Sequence, residues 1–364
     1  MSVRTGGPEA PVHRARGARA ARRARGIREL GVLLALALLV AGTALVNPAF
    51  LSAQSVRDLL LGATLLCVLA VGQTLVIVTR NVDLSVGSVL GLSAFATGSL
   101  FVTFPGLPIP VAALAGVLVG AGCGLVNGTL VTVARVPALV VTLGTLYVFR
   151  GVDHWWAAGR QINAADMPRE FLDLGRLGLA GIPLPALVAA AVVLATGWYL
   201  ASYRSGRELY AIGSDPAAAR LSGIPVDRRV LAAFVVNGAL AGLAGVLYAA
   251  RFGTLDANAG LGLELQVVAA AVVGGVAIFG GSGTVFGAAV GAVLLTTIGS
   301  ALAVLRVDPF WQQAVVGLLI LVAIGMDRLL AARSARRLRV ADAVGGDGRP
   351  GPAGGRGEQR RSTS

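Results

Sequence analysis

The sequence predicts an all-α fold: a polytopic membrane helix bundle of about ten transmembrane helices, with both termini cytoplasmic. Three observations carry that reading. Of the 364 residues, 55% are hydrophobic and only 13% charged, and mean hydropathy is +0.77. The charge is gathered at the ends: residues 1–29 carry eight Arg and residues 328–364 carry nine. Between them run segments of Ala, Val, Leu and Gly of about the 20 residues needed to cross a bilayer. A soluble domain cannot hide that much apolar surface, so soluble enzymes, nucleic-acid-binding domains and single-anchor receptors are excluded. The net charge of +13 would otherwise point to nucleic acid. Here the arginines sit beside apolar spans, where they act as orientation signals on anionic membranes.

Taken in order, residues 1–29 form a basic, disordered cytoplasmic tail and 30–327 the transmembrane domain. The candidate spans are 30–46, 57–79, 84–104, 110–133, 136–150, 183–201, 229–250, 265–280, 284–304 and 311–327. The short segments 136–150 and 265–280 read equally as broken or re-entrant, so eight full spans plus two partial ones is the alternative. The first span follows a basic stretch containing Arg22-Arg23, like a secretory signal. Its length and the many spans behind it make it an uncleaved helix. Ten spans with cytoplasmic tails leave 24 Arg inside and seven outside, in keeping with the positive-inside bias. Loop 151–182 then lies outside. It has an interfacial Trp155-Trp156 pair and mixed charges that suit either a docking surface or a solvated connector. Loop 202–228 lies inside. Residues 328–364 form an Arg/Gly-rich cytoplasmic tail of flexible, disordered composition.

All 31 basic residues are Arg; the chain contains no lysine. It therefore lacks a Walker A lysine, a Schiff-base lysine and a lysine general base. If ATP drives this protein, another chain binds the ATP and its Mg, and this chain binds no cofactor itself. Cys67 and Cys123 lie in apolar stretches and His13 and His154 lie far apart, so no metal site and no catalytic residue is assigned.

Gly116, Gly120, Gly124 and Gly128 recur every fourth residue, as do Gly283, Gly287 and Gly291, and Gly238 with Gly242. That spacing lines one helix face and lets neighbouring backbones approach closely. Polar residues inside the spans are few. Asp83, within Arg80-Asn81-Val82-Asp83-Leu84-Ser85-Val86-Gly87-Ser88, stands where two spans meet. It can cap the third span through amides near Ser85 and Val86, with Arg80 as a candidate salt partner, or it can serve in gating. Glu264 invites the same two readings. Asn127, Thr142 and Asn237 are candidates for interhelical hydrogen bonds or a polar pathway, as are Ser85 and Ser88. Acids in mid-span are absent, which argues against a proton relay.

The inner loop carries the most information. Asp215 is a good N-cap and Pro216 fits the first helical position. Ala217 to Leu221, with Ala219 and Arg220 among them, favour helix, and Gly223 with Pro225 ends it. Two turns are unstable alone and need something to dock on. Such a helix either presents a rigid knob to a soluble motor or is a plain loop helix.

With these motifs assembled, the chain resembles permease subunits of bacterial ABC sugar importers of the ribose, xylose and autoinducer-2 group, over residues 30–330. The matching stretches are Asp83 to Ser88; Gly206-Arg207 with Tyr210 to Gly213; Ala218 to Ile224; Val136 to Ala138 with Thr142 to Leu146; and Gly274-Gly275 with Gly280 to Gly283. Arg80-Asn81 replaces a Gly-Gly common in the group and is similar to autoinducer-2 and rhamnose-type permeases, as is Phe310-Trp311. Ala217 stands where many members carry Glu. The resemblance implies two permease copies or paralogues, a cytoplasmic ATPase with tandem nucleotide-binding domains, and an extracytoplasmic sugar-binding protein. It also implies that Gly206, Arg207, Tyr210, Gly213, Asp215, Pro216, Ala219, Arg220 and Gly223 form the contact to the ATPase. The competing reading is an ion-gradient-driven secondary carrier, built from inverted repeats with broken helices.

Overall fold

A computed structural model of the chain describes residues 30–308 together with residues 311, 314, 315, 317, 318, 321 and 325. The two basic tails and most of the expected span at 311–327 lie outside the described residues.

The described chain is mainly helical. Helix α1 covers Leu30–Val46. A 3-10 turn, Pro48–Leu51, leads to α2 (Ala53–Ile77), where the Ser52 hydroxyl accepts from the Ser55 amide at 3.2 Å as N-cap. Helices α3 (Val86–Thr103), α4 (Ile109–Thr132) and α5 (Ala138–Ala157) follow. Beyond them come α6 (Arg169–Leu174), a two-residue hairpin β1 (Gly178–Leu179) and β2 (Ile182–Pro183), and α7 (Leu184–Ser202). Helices α8 (Arg204–Ser214) and α9 (Pro216–Leu221) form an elbow, and α10 (Val226–Phe252), α11 (Leu263–Val273) and α12 (Val285–Val304) complete the series. Prolines set many of the starts: Pro108, Pro137, Pro168, Pro183 and Pro225 each stand at the N-cap of the helix that follows. Proline tolerates the missing donor there and fixes the entry dihedral.

Six helices (α2, α3, α4, α7, α10 and α12) are long and apolar enough to cross a membrane, and α1 and α11 are shorter apolar helices. The short span expected at 136–150 is instead one unbroken helix that runs to Ala157. Its continuation buries Arg150 and Asp153, which the sequence places at the end of the span and in the outer loop 151–182. The segment 265–280 is the partial one: α11 stops at Val273, and residues 274–284 turn through glycines with positive φ at Gly275, Gly280, Gly281 and Gly283. Residues 202–228 hold two helices where the sequence predicts one. Its α8 has no strong cap signal, and the stop before Asp215 is imposed by that residue's extended backbone.

Burial explains the layering. Every residue of α2 from Ala63 to Ile77 is buried, and α3 is buried over most of its length. Helices apolar all round belong at the centre of a bundle. By contrast α4 buries one stripe (Ala112, Gly116, Gly120, Cys123, Gly124, Asn127, Gly128) and turns Leu114, Leu118 and Leu125 outward, where lipid solvates them. That stripe fits α10. A methyl carbon on Gly120 would stand 2.7 Å from the Gly242 Cα, and one on Gly238 would stand 2.8 Å from the Gly124 Cα. Gly116 and Gly128 meet Val246 and Leu231 of the same partner helix. Gly287 and Gly291 of α12 likewise press on the backbone of Gly274 and Ala270 beside α11. Gly283 does not extend this ladder. It precedes the Thr284 N-cap, with φ +138°, and packs on Val276 inside its own turn.

Candidate functional site

The polar residues scattered over the sequence converge on the short turn between α2 and α3. Asp83 is buried there, and its Oδ1 accepts from the Ser85 amide at 2.9 Å and the Ser85 hydroxyl at 2.7 Å. Its Oδ2 accepts from the Asn237 side-chain amide at 2.9 Å. Asn127 donates to the Ser85 Oγ at 2.8 Å, and the Ser88 hydroxyl to the Ser85 carbonyl at 2.8 Å. Thr142 of α5 donates to the Val82 carbonyl at 3.2 Å. Gln73 of α2, with its amide nitrogen toward the Asp83 carbonyl, bonds both backbone groups of Asp83 at 3.1 Å. One turn is thus tied to α2, α4, α5 and α10. All of these side chains are buried, so each bond forms in a medium where an unmade one is costly.

Two details differ from the sequence reading. Ser85, not Asp83, occupies the N-cap of α3; Asp83 sits two residues earlier and holds Ser85 in place. Arg80 is not the salt partner of Asp83. Its guanidinium donates instead to the carbonyls of Gly213 and Ser214 at the end of α8, the second at 2.6 Å. Asp83 is held by amides and hydroxyls alone. Glu264 lies beside the cluster but is not among the hydrogen-bond partners of Asp83 or Ser85. It lies half-buried in the first turn of α11, with its carboxylate against Gly87.

The second locus is the elbow. The Asp215 Oδ1 accepts from the Ala217 and Ala218 amides at 2.9 and 3.0 Å, with Pro216 at the first helical position, so α9 is capped as its sequence predicts. Ala219 faces inward, while Ala217, Ala218, Arg220 and Leu221 face out; Leu221 is 90% exposed. Gly223, with φ +77°, closes the helix, and Arg220 pairs with Asp227 at 3.0 Å. Behind α9, Gly206 packs on Tyr199 and Leu200 backbone, and Arg207 donates to the Ala201 and Ser202 carbonyls at 3.1 and 3.0 Å. The Tyr210 hydroxyl donates to the Gly283 carbonyl at 3.0 Å. Gly213 is in backbone contact with Val78 and Gly281, where no side chain fits.

Glu208 is a member of the elbow that the sequence reading passed over. It is buried and bridges Arg229 at 2.6 Å and Arg204 at 2.9 Å. The Arg229 hydrogen bond, followed by that to Arg204, holds its carboxyl below the ordinary carboxylate value. Only the Arg204 partner, at i−4, was visible as a helical spacing. A second buried charged group was missed as well. Arg150 donates to the Ala257 and Ala259 carbonyls at 2.8 and 2.7 Å, and Asp153, one turn on, is fully buried. Among the described residues no three His, Cys, Asp or Glu side chains are grouped to hold a metal ion.

A polar centre buried among apolar helices, with the turn that holds it bonded through Arg80 to a capped elbow, fits a membrane transport permease. The comparisons agree: the chain belongs to the family described as branched-chain amino acid transport system / permease component, whose model matches residues 55–324. It is 37% identical over 312 residues to the autoinducer 2 import system permease protein LsrC of Enterobacter sp. (strain 638), covering 86% of this chain and 90% of that one. The protein of the same name from Klebsiella pneumoniae subsp. pneumoniae is 39% identical over 313 residues, with the same coverage. That from Escherichia coli (strain K12 / DH10B) is 37% identical over 312, again with 86% and 90% covered. No solved structure matches the chain. The relatives are transport permeases, so this chain is an integral membrane permease and not an enzyme.

Proposed function

We propose that this chain is the membrane subunit of an ATP-binding-cassette importer for a monosaccharide or sugar-like solute, of the rhamnose, ribose or autoinducer-2 type. The observation that carries the reading is the elbow: α9 is rigidly capped, braced from behind and exposed on its outer face. A two-turn helix cannot hold that shape without support. The occupant is a separate ATPase with tandem nucleotide-binding domains, which binds the ATP and Mg; this chain binds no cofactor. The names of the relatives support the autoinducer-2 type among these.

In this reading the chain makes about ten spans with both termini cytoplasmic, the residues 1–29 and 328–364 being basic tails. The elbow faces the cytoplasm and 151–182 the outside, where a sugar-binding protein docks. A second permease, identical or paralogous, completes the pathway. Asp83, Ser85, Ser88, Asn127, Thr142 and Asn237 act as the gate between the two sides, with Glu264 beside it. The test is uptake into vesicles holding the assembled complex. Uptake that requires ATP and survives an ionophore supports the proposal. Uptake that persists without ATP and collapses with the ionophore replaces it with a gradient-driven carrier.

A further inference from the structure

We infer that Arg80 is the positioning residue through which movement of the α8–α9 elbow reaches the buried Asp83 cluster; this rests on the ATP-driven reading above. The backbone supplies the first observation. Arg80 has φ +66°, the left-handed region where glycine is at ease and a longer side chain is strained. Such strain persists where the side chain is used. Here it ties off the last carbonyls of α8, at Gly213 and Ser214, which have no partner further along the helix.

The contact has no slack. Gly213 abuts Val78, the Gly281 amide donates to the Val78 carbonyl at 3.0 Å, and Gly280 lies against the Arg80 stem. The turn itself is stiff. The Asn81 side-chain amide donates to the Thr79 carbonyl and hydroxyl at 3.1 and 3.0 Å, and the Thr79 hydroxyl to the Val76 carbonyl at 2.7 Å. Two residues beyond Arg80, the Val82 carbonyl takes the Thr142 bond, and Asp83 follows with its ties to Ser85 and Asn237. Three peptide bonds therefore separate a group fixed to the elbow from a group fixed to α10. A displacement of α8 cannot be absorbed over so short a braced segment, and it is passed to the gate.

Cys123 reports on the gate: it is buried on α4, one turn before Asn127. The complex is purified with its ATPase in a Cys67→Ser background, and N-ethylmaleimide labelling of Cys123 is timed without nucleotide and with ATP plus vanadate. The wild-type complex should show an ATP-dependent change in rate of about threefold or more. Arg80→Ala should bring that ratio to about one with the ATPase still bound in full amount, and Arg80→Lys, which keeps the charge but not the two-donor fork to Gly213 and Ser214, should restore only part of it. An unchanged ratio in Arg80→Ala overturns the inference, as does a wild-type ratio of one. Loss of the ATPase from Arg80→Ala also overturns it, making Arg80 a brace for docking. Absence of any ATPase from the wild-type preparation instead sinks the ATP-driven reading itself.

Discussion

The side-chain amide of Asn237, midway along α10, donates to the Asp83 carboxylate at 2.9 Å across 154 positions of sequence. Neither group touches water, and no cation stands opposite the carboxylate among its hydrogen-bond partners. The bond therefore sets how the α2–α3 turn sits on α10. A double-mutant cycle of Asp83→Ala and Asn237→Ala, followed by thermal denaturation in detergent, should show a coupling of about 1 kcal/mol. Additivity of the two changes would remove the bond from the account.

The packing of α4 on α10 makes a sharper forecast. Gly120→Leu drives a side chain into the backbone of Gly238 and Gly242, whereas Gly122→Leu, two residues on, enters open space. Gly120→Leu should abolish monodisperse protein on size-exclusion chromatography, and Gly122→Leu should leave it unchanged. Equal tolerance at both positions would mean that these helices are not packed through their glycines.

Glu208 gives the elbow a pH dependence. Its carboxyl lies below the ordinary 4.5 because Arg229 and Arg204 favour the charged form. A group with a lowered folded value contributes stability that is present above its unfolded value and lost as pH falls through the folded one. The wild-type chain should lose stability progressively below pH 4.5, and Glu208→Gln should flatten that limb while lowering stability at neutral pH. Identical acid limbs for the two proteins would show that the Arg229 and Arg204 bonds contribute nothing.

On α9, cap and tip separate two contributions. Asp215→Ala removes both bonds to the first-turn amides and should cost the helix about 1 kcal/mol. Leu221→Ala leaves the helix intact but deletes its exposed apolar tip. It should weaken ATPase binding by about tenfold in a titration with the purified partner, as expected for an interface anchor. Binding unchanged in Leu221→Ala would place the docking surface elsewhere.

Much of this was legible in the sequence because the governing physics is local. The α9 cap, its proline and its stop glycine lie within nine residues, and α4 displays its packing face through a four-residue repeat. The polar residues that meet at Asp83 were legible one by one, but their meeting was not. Asp83, Asn127, Thr142 and Asn237 come together only through tertiary packing, and Gln73 of α2, which the sequence did not single out, joins them. The misassigned partner of Arg80 has the same origin: nearness in sequence pointed to Asp83, while the left-handed turn aims the guanidinium at α8. Asp153 was placed in the outer loop 151–182, whereas α5 runs on to Ala157 and Arg150 is kept inside by the carbonyls of Ala257 and Ala259, which no sequence pattern announces.

The most direct measurement is gentle detergent extraction of the native membrane, followed by mass spectrometry of what copurifies with this chain. The account predicts an ATPase carrying Walker A motifs in stoichiometric amount, with a second permease beside it if the pathway is formed by paralogues. A chain that emerges alone, and still moves solute in liposomes without ATP, would contradict it.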